Sequence, residues 1–321
     1  MESVNLTRIF FSVDVHGSTE VWNKWIKACQ LYNVNVMMLC GDLTGKALVP
    51  LVKQDDGYFT DYFGQKQLLK TEEELKKVEN ILEKSGVYPF RTTWDEVKEL
   101  KKNPEKVERL MTEKILERME KWLELLLEKI NTKEVTVLVM PGNDDVTEID
   151  EVIKSYESDG IVYPLDRVVE INGGFEIISY DYVNPTPWDT PREGSEDKLK
   201  KDIDRLISKV SNVEKAIFNF HCPPYGTRLD LAPELDRNLR PVIRGGHVNM
   251  IHVGSKAVRD AEIKFHPLMG LHGHIHEACA ADVLDGVPIF NPGSEYGEGI
   301  LRGFVIELSS NGLEKFWRVE G

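Results

Sequence analysis

Ile9-Phe10-Phe11-Ser12-Val13-Asp14-Val15-His16 sets a pattern that the chain then repeats: an apolar run of β-strand character, closed by side chains of metal-ligand type. Val36-Met37-Met38-Leu39-Cys40 leads into Gly41-Asp42, and Val137-Leu138-Val139-Met140 leads through Pro141 into Gly142-Asn143-Asp144. Ala216 to Phe220 leads into His221, and Leu268 to Leu271 runs through His272 into Gly273-His274-Ile275-His276. Runs that are apolar at every position fit strands buried on both faces. The amphipathic stretch from Thr19 to Leu31, between strands expected at Arg8–Val13 and Val34–Cys40, makes the opening a βαβ unit. Strands are also expected at Val135–Met140, Phe175–Tyr180, Val287–Phe290 and Gly303–Leu308, with a helical piece at Ser195–Val210.

In an α/β sheet the carboxyl ends of the strands open onto one crevice, so residues distant in sequence can converge there. The residues at these ends are carboxylate and amide oxygens mixed with imidazole nitrogens. That donor set suits Mn, Fe, Ni or Zn, whereas an all-oxygen set would suit Mg or Ca. Each piece alone is weak, because an Asp after a strand commonly caps a helix or makes a turn, and a lone His is commonly a hydrogen-bonded structural residue. His274 and His276 carry more, since Gly273 lets the backbone approach closely and the i, i+2 spacing aims two imidazoles into one cavity. The decisive feature is five pieces in one order, each ending an apolar run, without a competing nucleophile motif.

From about residue 58 to 131 the sequence becomes charged and reads as a helical insertion. Thr71 and Glu74 form a candidate capping box and Gly86 a stop. Asn103-Pro104 makes a cap followed by a helix-starting proline, after which Val107, Met111, Ile115, Met119, Trp122, Leu126 and Ile130 recur at helical spacing. The insertion is expected to pack on the body, with a lid over the substrate as the sharper reading. No repeat or low-complexity linker divides the rest, so residues 1–321 are expected to form one catalytic domain around this excursion.

The 321 residues, 41% of them hydrophobic, are enough for a sizeable core. A formal net charge of -14 opposes non-specific attraction to nucleic acid or to an anionic membrane. Bound cations would supply the local positive charge that an anionic substrate needs. The four cysteines, Cys29, Cys40, Cys222 and Cys279, show neither C-x-x-C pairing nor the density of a disulfide scaffold, which points to a reducing cytoplasm. The opening Met1 to Arg8 runs into a strand without the features of a signal peptide, and no apolar run has the length of a membrane span.

The order D-x-H, G-D, G-N, H, G-H-x-H resembles that of the calcineurin-like metallophosphoesterase superfamily, from Arg8 to about Leu308. The resemblance implies a four-layer α/β/β/α sandwich, in which two mixed sheets are flanked by helices and a dinuclear metal centre sits at the strand ends. Carried over by motif, Asp14, His16 and His276 would hold one divalent ion and Asn143, His221 and His274 the other, with Asp42 bridging. Such a centre implies a phosphodiesterase or phosphomonoesterase that uses hydroxide between the two ions to attack phosphorus in line. Asn184-Pro185-Thr186-Pro187-Trp188 and Asn291-Pro292-Gly293-Ser294 also resemble segments of bacterial and archaeal members of the phosphodiesterase-like branch.

One position departs from the pattern. Many members read G-N-H after the third strand, where that His protonates the leaving oxygen; here the residue is Asp144. Asp144 is either a cap or acceptor beside the site, or a general acid if burial or a neighbouring carboxylate such as Asp145 raises its pKa. On this reading activity should favour acidic leaving alcohols, phenols or cyclic phosphates.

Around the ligand set, His272 is expected to orient a ligand from beneath and Cys222 to point into the core. Tyr225 and Arg228 are candidates for substrate contact, and His252 lies in a mixed-charge loop. The favoured substrate is a small phosphoester or nucleotide. A non-catalytic binding or scaffolding protein on the same fold is the alternative, and a nuclease is disfavoured by the acidic surface.

Overall fold

The computed structural model describes residues 6–321, so the expectation about Met1 to Asn5 lies outside the described residues. The chain opens with β1 (Thr7–Ser12), α1 (Thr19–Leu31) and β2 (Val36–Cys40), the two strands parallel as a βαβ unit requires. It then leaves the sheet through β3 (Ala47–Gln54), β4 (Gly57–Tyr62), β5 (Gln65–Leu69), α2 (Glu72–Lys84), β6 (Val87–Thr92), α3 (Trp94–Lys102) and α4 (Pro104–Lys129). It returns through β7 (Thr136–Met140), α5 (Ile149–Ser155) and β8 (Ile161–Val162). The second half begins with β9 (Val168–Ile171), β10 (Phe175–Tyr180), α6 (Glu196–Ile207) and β11 (Ala216–Phe220). Four short strands follow in a long loop: β12 (Leu231–Pro233), β13 (Ile243–Arg244), β14 (His247–Val248) and β15 (Met250–His252). The chain finishes with α7 (Lys256–Phe265), β16 (Met269–Leu271), β17 (Ala280–Leu284), β18 (Val287–Asn291), β19 (Arg302–Ser309) and β20 (Gly312–Glu320).

Two mixed sheets result, in the orders β20-β19-β1-β2-β7-β8 and β17-β18-β16-β11-β10-β9. Strand alternation makes the layers. Ile9, Phe11 and Met38 on one face of the first sheet share a core with Ile177, Ile217, Met269 and Phe290 of the second. Phe10, Met37 and Leu39, pointing the other way, pack with Trp22 and Trp25 of α1 and Trp122 of α4. Ile178, Phe218 and Phe220 pack on the outer face of the second sheet against Leu199 and Ile203 of α6 and Val258 of α7. The architecture is therefore the expected α/β/β/α sandwich, and strands buried on both faces explain the continuous apolar runs.

The excursion is not wholly helical, which corrects the reading of residues 58–131. Strands β3 to β6 form their own four-stranded sheet in the order β5-β4-β3-β6, with Leu51, Leu69, Leu75 and Leu82 in a small core beneath α2. The capping box is present, with the Thr71 hydroxyl accepting from the Glu74 amide and Glu74 reaching back to Thr71. Gly86 (φ 82°) turns the chain after α2, and Asn103 caps α4 with Pro104 in its first turn.

The excursion also grips the body where it matters for the site. Buried Arg118 of α4 donates to the carbonyls of Gly17 (3.0 Å) and Val87 (2.8 Å) and lies 4.0 Å over the Tyr88 ring. The Tyr88 hydroxyl in turn accepts from the Gly45 amide at 3.1 Å. A Cβ on Gly45 would lie 2.0 Å from the Gly86 carbonyl oxygen, so these backbones touch. The excursion thus braces the loops that follow His16 and Asp42.

Candidate metal centre

The carboxyl ends of parallel strands β1, β2, β7, β11 and β16 deliver Asp14 and His16, Asp42, Asn143, His221, and His274 with His276 to one place. The loops are stitched together through their backbones. The Asp14 amide donates to the Gly41 carbonyl (3.0 Å), the His16 amide to that of Asp42 (2.9 Å), and the Gly273 amide to that of His221 (3.0 Å). Asp14, His16, Asp42 and His274 all have positive φ, at 55°, 40°, 47° and 66°. Non-glycine residues rarely adopt that region, and strain of this kind is retained where surrounding contacts over-determine it. Here the Ser294 hydroxyl donates to the Asp14 carbonyl at 2.6 Å, and the His274 amide donates to Asp14 Oδ2 at 3.0 Å.

Asp42 stands at the centre. Its Oδ2 lies 3.6 Å from His16 Nε2, and its Oδ1 lies 3.4 Å from His221 Nε2. His221 Nε2 is also 3.7 Å from Asp14 Oδ1, and His16 Nε2 is 3.0 Å from His276 Nε2. Two groups emerge whose donor atoms lie within 4.8 Å of one another and which can hold metal ions: Asp14, His16, Asp42 and His276, and Asp42, His221 and His274. Asp42 belongs to both.

Asn143 directs its amide nitrogen to the Thr190 hydroxyl at 2.8 Å, which leaves its Oδ1 buried without a partner. Asp14 Oδ1 and both ring nitrogens of His221 are likewise buried without a hydrogen-bond partner. Buried polar atoms are normally satisfied, and Asp14 Oδ1 with His221 Nε2, 3.7 Å apart, is an orphaned oxygen–nitrogen pair that fits a divalent cation.

Burial and close approach shift these groups in different directions. Burial pushes the Asp14 carboxyl well above the usual range, against the opposing pull of His221. Burial would raise Asp42 too, but His221, His16 and His274 together hold it below the ordinary carboxylate range. Burial disfavours the charged form of His221, yet Asp42 and Asp14 pull its pKa up to about 9. His274 and His276 are brought down to about 4 and about 3, chiefly by burial and then by neighbouring imidazoles, so both are neutral and free to donate electron pairs at ordinary pH.

Several supporting residues carry no periodic signal in the sequence. Asp145, fully buried, accepts from the amides of Leu43 (2.9 Å), Thr44 (2.8 Å) and Gly142 (2.8 Å) and from the Thr44 hydroxyl (2.6 Å), tying the second and third loops together. Glu193 accepts from the Thr190 hydroxyl at 2.7 Å and so fixes the group that orients Asn143. Asn291 donates to the Gly273 and Ile275 carbonyls at 3.2 and 3.0 Å, pinning the loop that carries His274 and His276. The Tyr296 ring lies 4.6 Å from that of His16.

Asp144 donates its amide to Asp42 Oδ1 at 2.9 Å, its Oδ2 lies 3.9 Å from His16 Nδ1, and its Oδ1 pairs with Lys46. Buried His272 points Nδ1 at the carbonyls of Phe220 (2.8 Å) and Cys222 (3.1 Å), either side of His221, and Nε2 at Glu262 (2.9 Å). Cys222 packs in the outer core of the second sheet, and burial pushes its thiol up to about 12. Tyr225 packs its ring 5.8 Å from that of His252, whose Nδ1 lies 2.7 Å from buried Asp230; Arg228 donates its amide to Asp282 at 2.9 Å.

No family model matches the chain. An uncharacterized protein of Methanocaldococcus jannaschii, MJ1162, is 29% identical over 158 residues, which are 49% of this chain and 63% of that relative. The match thus spans less than two thirds of the relative's own length. Among solved structures, TT1561 of Thermus thermophilus aligns over 99% of each chain at 13% identity, with a TM-score of 0.53. A structure described as a novel archaeal phosphodiesterase aligns over 98% of this chain and all of its own at 13% identity, but its TM-score of 0.34 is too low to carry an argument. The likeness to TT1561 is one of fold.

Proposed function

We propose that the chain is a metal-dependent phosphoester hydrolase, a phosphodiesterase or phosphomonoesterase of the calcineurin-like superfamily acting on a small phosphoester or nucleotide. The observation that carries this reading is the sharing of Asp42 between two donor groups. Asp14, His16, Asp42 and His276 would hold one ion, and Asp42, Asn143, His221 and His274 the other, drawn from Mn, Fe, Ni or Zn. Such ions supply Lewis acidity, activating solvent for in-line attack on phosphorus and offsetting the charge of the phosphate oxygens.

The chain's own residues do the positioning. Asp42 keeps its charge within reach of both donor groups, Thr190 turns the Asn143 oxygen inward, and the strained loops hold the imidazoles in place before substrate arrives. A single catalytic body with the excursion bound to it is supported by the contacts of Arg118 and Tyr88. Among the described residues no helix is long and apolar enough to cross a membrane. A reducing cytoplasm is supported by the four unpaired cysteines. The scaffolding alternative is disfavoured because all seven proposed ligand positions keep donor side chains.

The direct test is hydrolysis of bis-p-nitrophenyl phosphate by protein loaded with manganese. Turnover that disappears with chelator and returns with metal is the expected result. Protein that binds metal but hydrolyses no member of a phosphoester panel with any of the four metals would favour the scaffold. A narrower prediction concerns Thr190→Val, which frees the Asn143 amide to rotate: manganese affinity should fall about 10- to 100-fold, as loss of an orienting partner usually costs. Calorimetric titration checks this, and an unchanged affinity would remove Asn143 from the ligand set.

A further inference from the structure

The site is crowded with negative charge, since Asp14, Asp42, Asp144 and Asp145 all gather at the ends of β1, β2 and β7. Among the described residues, the only side chain other than histidine that forms an ion pair with any of these four carboxylates is Lys46, through Asp144. Lys46 follows the Asp42 loop by one short turn and sits where the chain enters β3, so its position is set by the same backbone that places Asp42. Its side chain is 57% exposed while that of Asp144 is 12% exposed, so the ammonium is on the open side of the pair and the carboxylate on the metal side. The pair is anchored to the site at two points, the Asp144 amide on Asp42 Oδ1 (2.9 Å) and its Oδ2 beside His16 Nδ1 (3.9 Å).

An exposed ion pair of this kind adds little to stability. An exposed cation held beside buried carboxyl groups, by contrast, is open to an anionic ester. Resting on the phosphoesterase reading above, we infer that Lys46 is the residue that serves the departing oxygen, with Asp144 as its positioning partner. As the bond from solvent oxygen to phosphorus forms, the ester P–O bond breaks and leaves its electron pair on the departing oxygen. The Lys46 ammonium donates a hydrogen bond to that oxygen and offsets its developing charge, and the released alkoxide or phenolate takes its proton from solvent. Asp144 holds the ammonium in place. The restriction to acidic leaving groups expected from the missing histidine is thereby relaxed, because unactivated esters have a donor.

The test is a series of phosphodiesters of graded phenol acidity, run with manganese-loaded wild type, Lys46→Met and Lys46→Arg. For Lys46→Met the loss in kcat should grow along the series as charge on the departing oxygen grows, from about threefold with p-nitrophenol to about 100-fold with unsubstituted phenol, the size of contribution usual for one donor aimed at a developing oxyanion. Lys46→Arg should recover most of the loss, because it supplies the same charge and a hydrogen bond. Manganese affinity measured by calorimetry should be retained in both variants, which separates the effect from damage to the centre. Equal losses on every ester, or no loss on any, would overturn this inference and leave the hydrolase reading standing. Wild type inactive on the whole series would overturn this inference, and inactivity extending to phosphomonoesters with each of manganese, iron, nickel and zinc would remove the hydrolase reading as well.

Discussion

Asp42→Asn should lower kcat on bis-p-nitrophenyl phosphate by about 10³-fold and should reduce the metal content of the purified protein. The substitution changes no shape: the amide oxygen can still accept the Asp144 amide, which donates to Asp42 Oδ1 at 2.9 Å in the native chain. What it removes is the one charge common to both donor groups. Electrostatic groups acting on the reacting centre typically contribute factors of about 10² to 10³ each, and Asp42 acts on both ions at once. Binding linkage gives an independent reading, because a ligand that binds only the native state at 100 times its Kd stabilises by about 2.7 kcal/mol. Manganese should therefore raise the Tm of wild type and leave that of Asp42→Asn nearly unmoved. In metal-free protein at neutral pH the variant should be less stable than wild type, because His221, His16 and His274 hold the Asp42 carboxyl below its ordinary range and the folded chain therefore favours the charge that the amide lacks. Full activity with unchanged metal content in Asp42→Asn would show that the two groups do not depend on this residue.

Gly41→Ala should be the next most damaging change, though it adds one methyl group outside the ligand set. Gly41 has φ 110°, and a Cβ there would lie 2.0 Å from His221 Nδ1 and 2.3 Å from its Cε1. The imidazole cannot yield, because His221 is buried at the strand end with the ring of His274 packed 5.6 Å away. Backbone strain of about 1–3 kcal/mol adds to an overpacking cost of similar size. The three atoms nearest the new methyl all belong to His221 and none to a core side chain, so the fold should survive while His221 is displaced. Misplacement of a reacting group by about 1 Å costs on the order of 100-fold in rate. Gly64→Ala is the matched control, with φ 77° and nothing within 4 Å of the new Cβ. It carries the backbone penalty without the collision and should retain activity. If Gly41→Ala and Gly64→Ala behave alike, the close approach of Gly41 to His221 has no functional weight.

The parts of this molecule that were legible in its sequence share a physical reason. Val36 to Cys40 and Val137 to Met140 are buried on both faces, so the runs are continuous and their ends are marked by the polar residues that follow. Thr71 with Glu74, and Asn103 with Pro104, satisfy helix ends locally, so a few residues suffice to read them. The small sheet of β3 to β6 was missed because its strands are half exposed. Gln65-Lys66-Gln67-Leu68-Leu69, with only its last residue buried, has neither the alternation nor the apolar run of a strand. It is held as a strand by antiparallel pairing with β4.

The same distinction runs through the candidate site. Side chains of metal-ligand type are recognisable as types, whereas what orients them lies far off in sequence. Thr190 is 47 positions from Asn143, and the ion pair of Lys46 with Asp144 spans nearly a hundred. The positive φ values of Asp14, His16 and Asp42 have no local signature, since none is a glycine and each is imposed by neighbouring loops. Asp145 was legible only as a carboxylate beside Asp144. Its work as a staple for Leu43, Thr44 and Gly142 appears only when the second and third loops are brought together.

The most direct measurement of the whole account is anomalous diffraction from crystals of manganese-loaded protein. Two peaks should lie on either side of the Asp42 carboxylate, one against Asp14, His16 and His276, the other against Asn143, His221 and His274. No peak there at saturating metal, or peaks that leave Asp42 without contact, would contradict it.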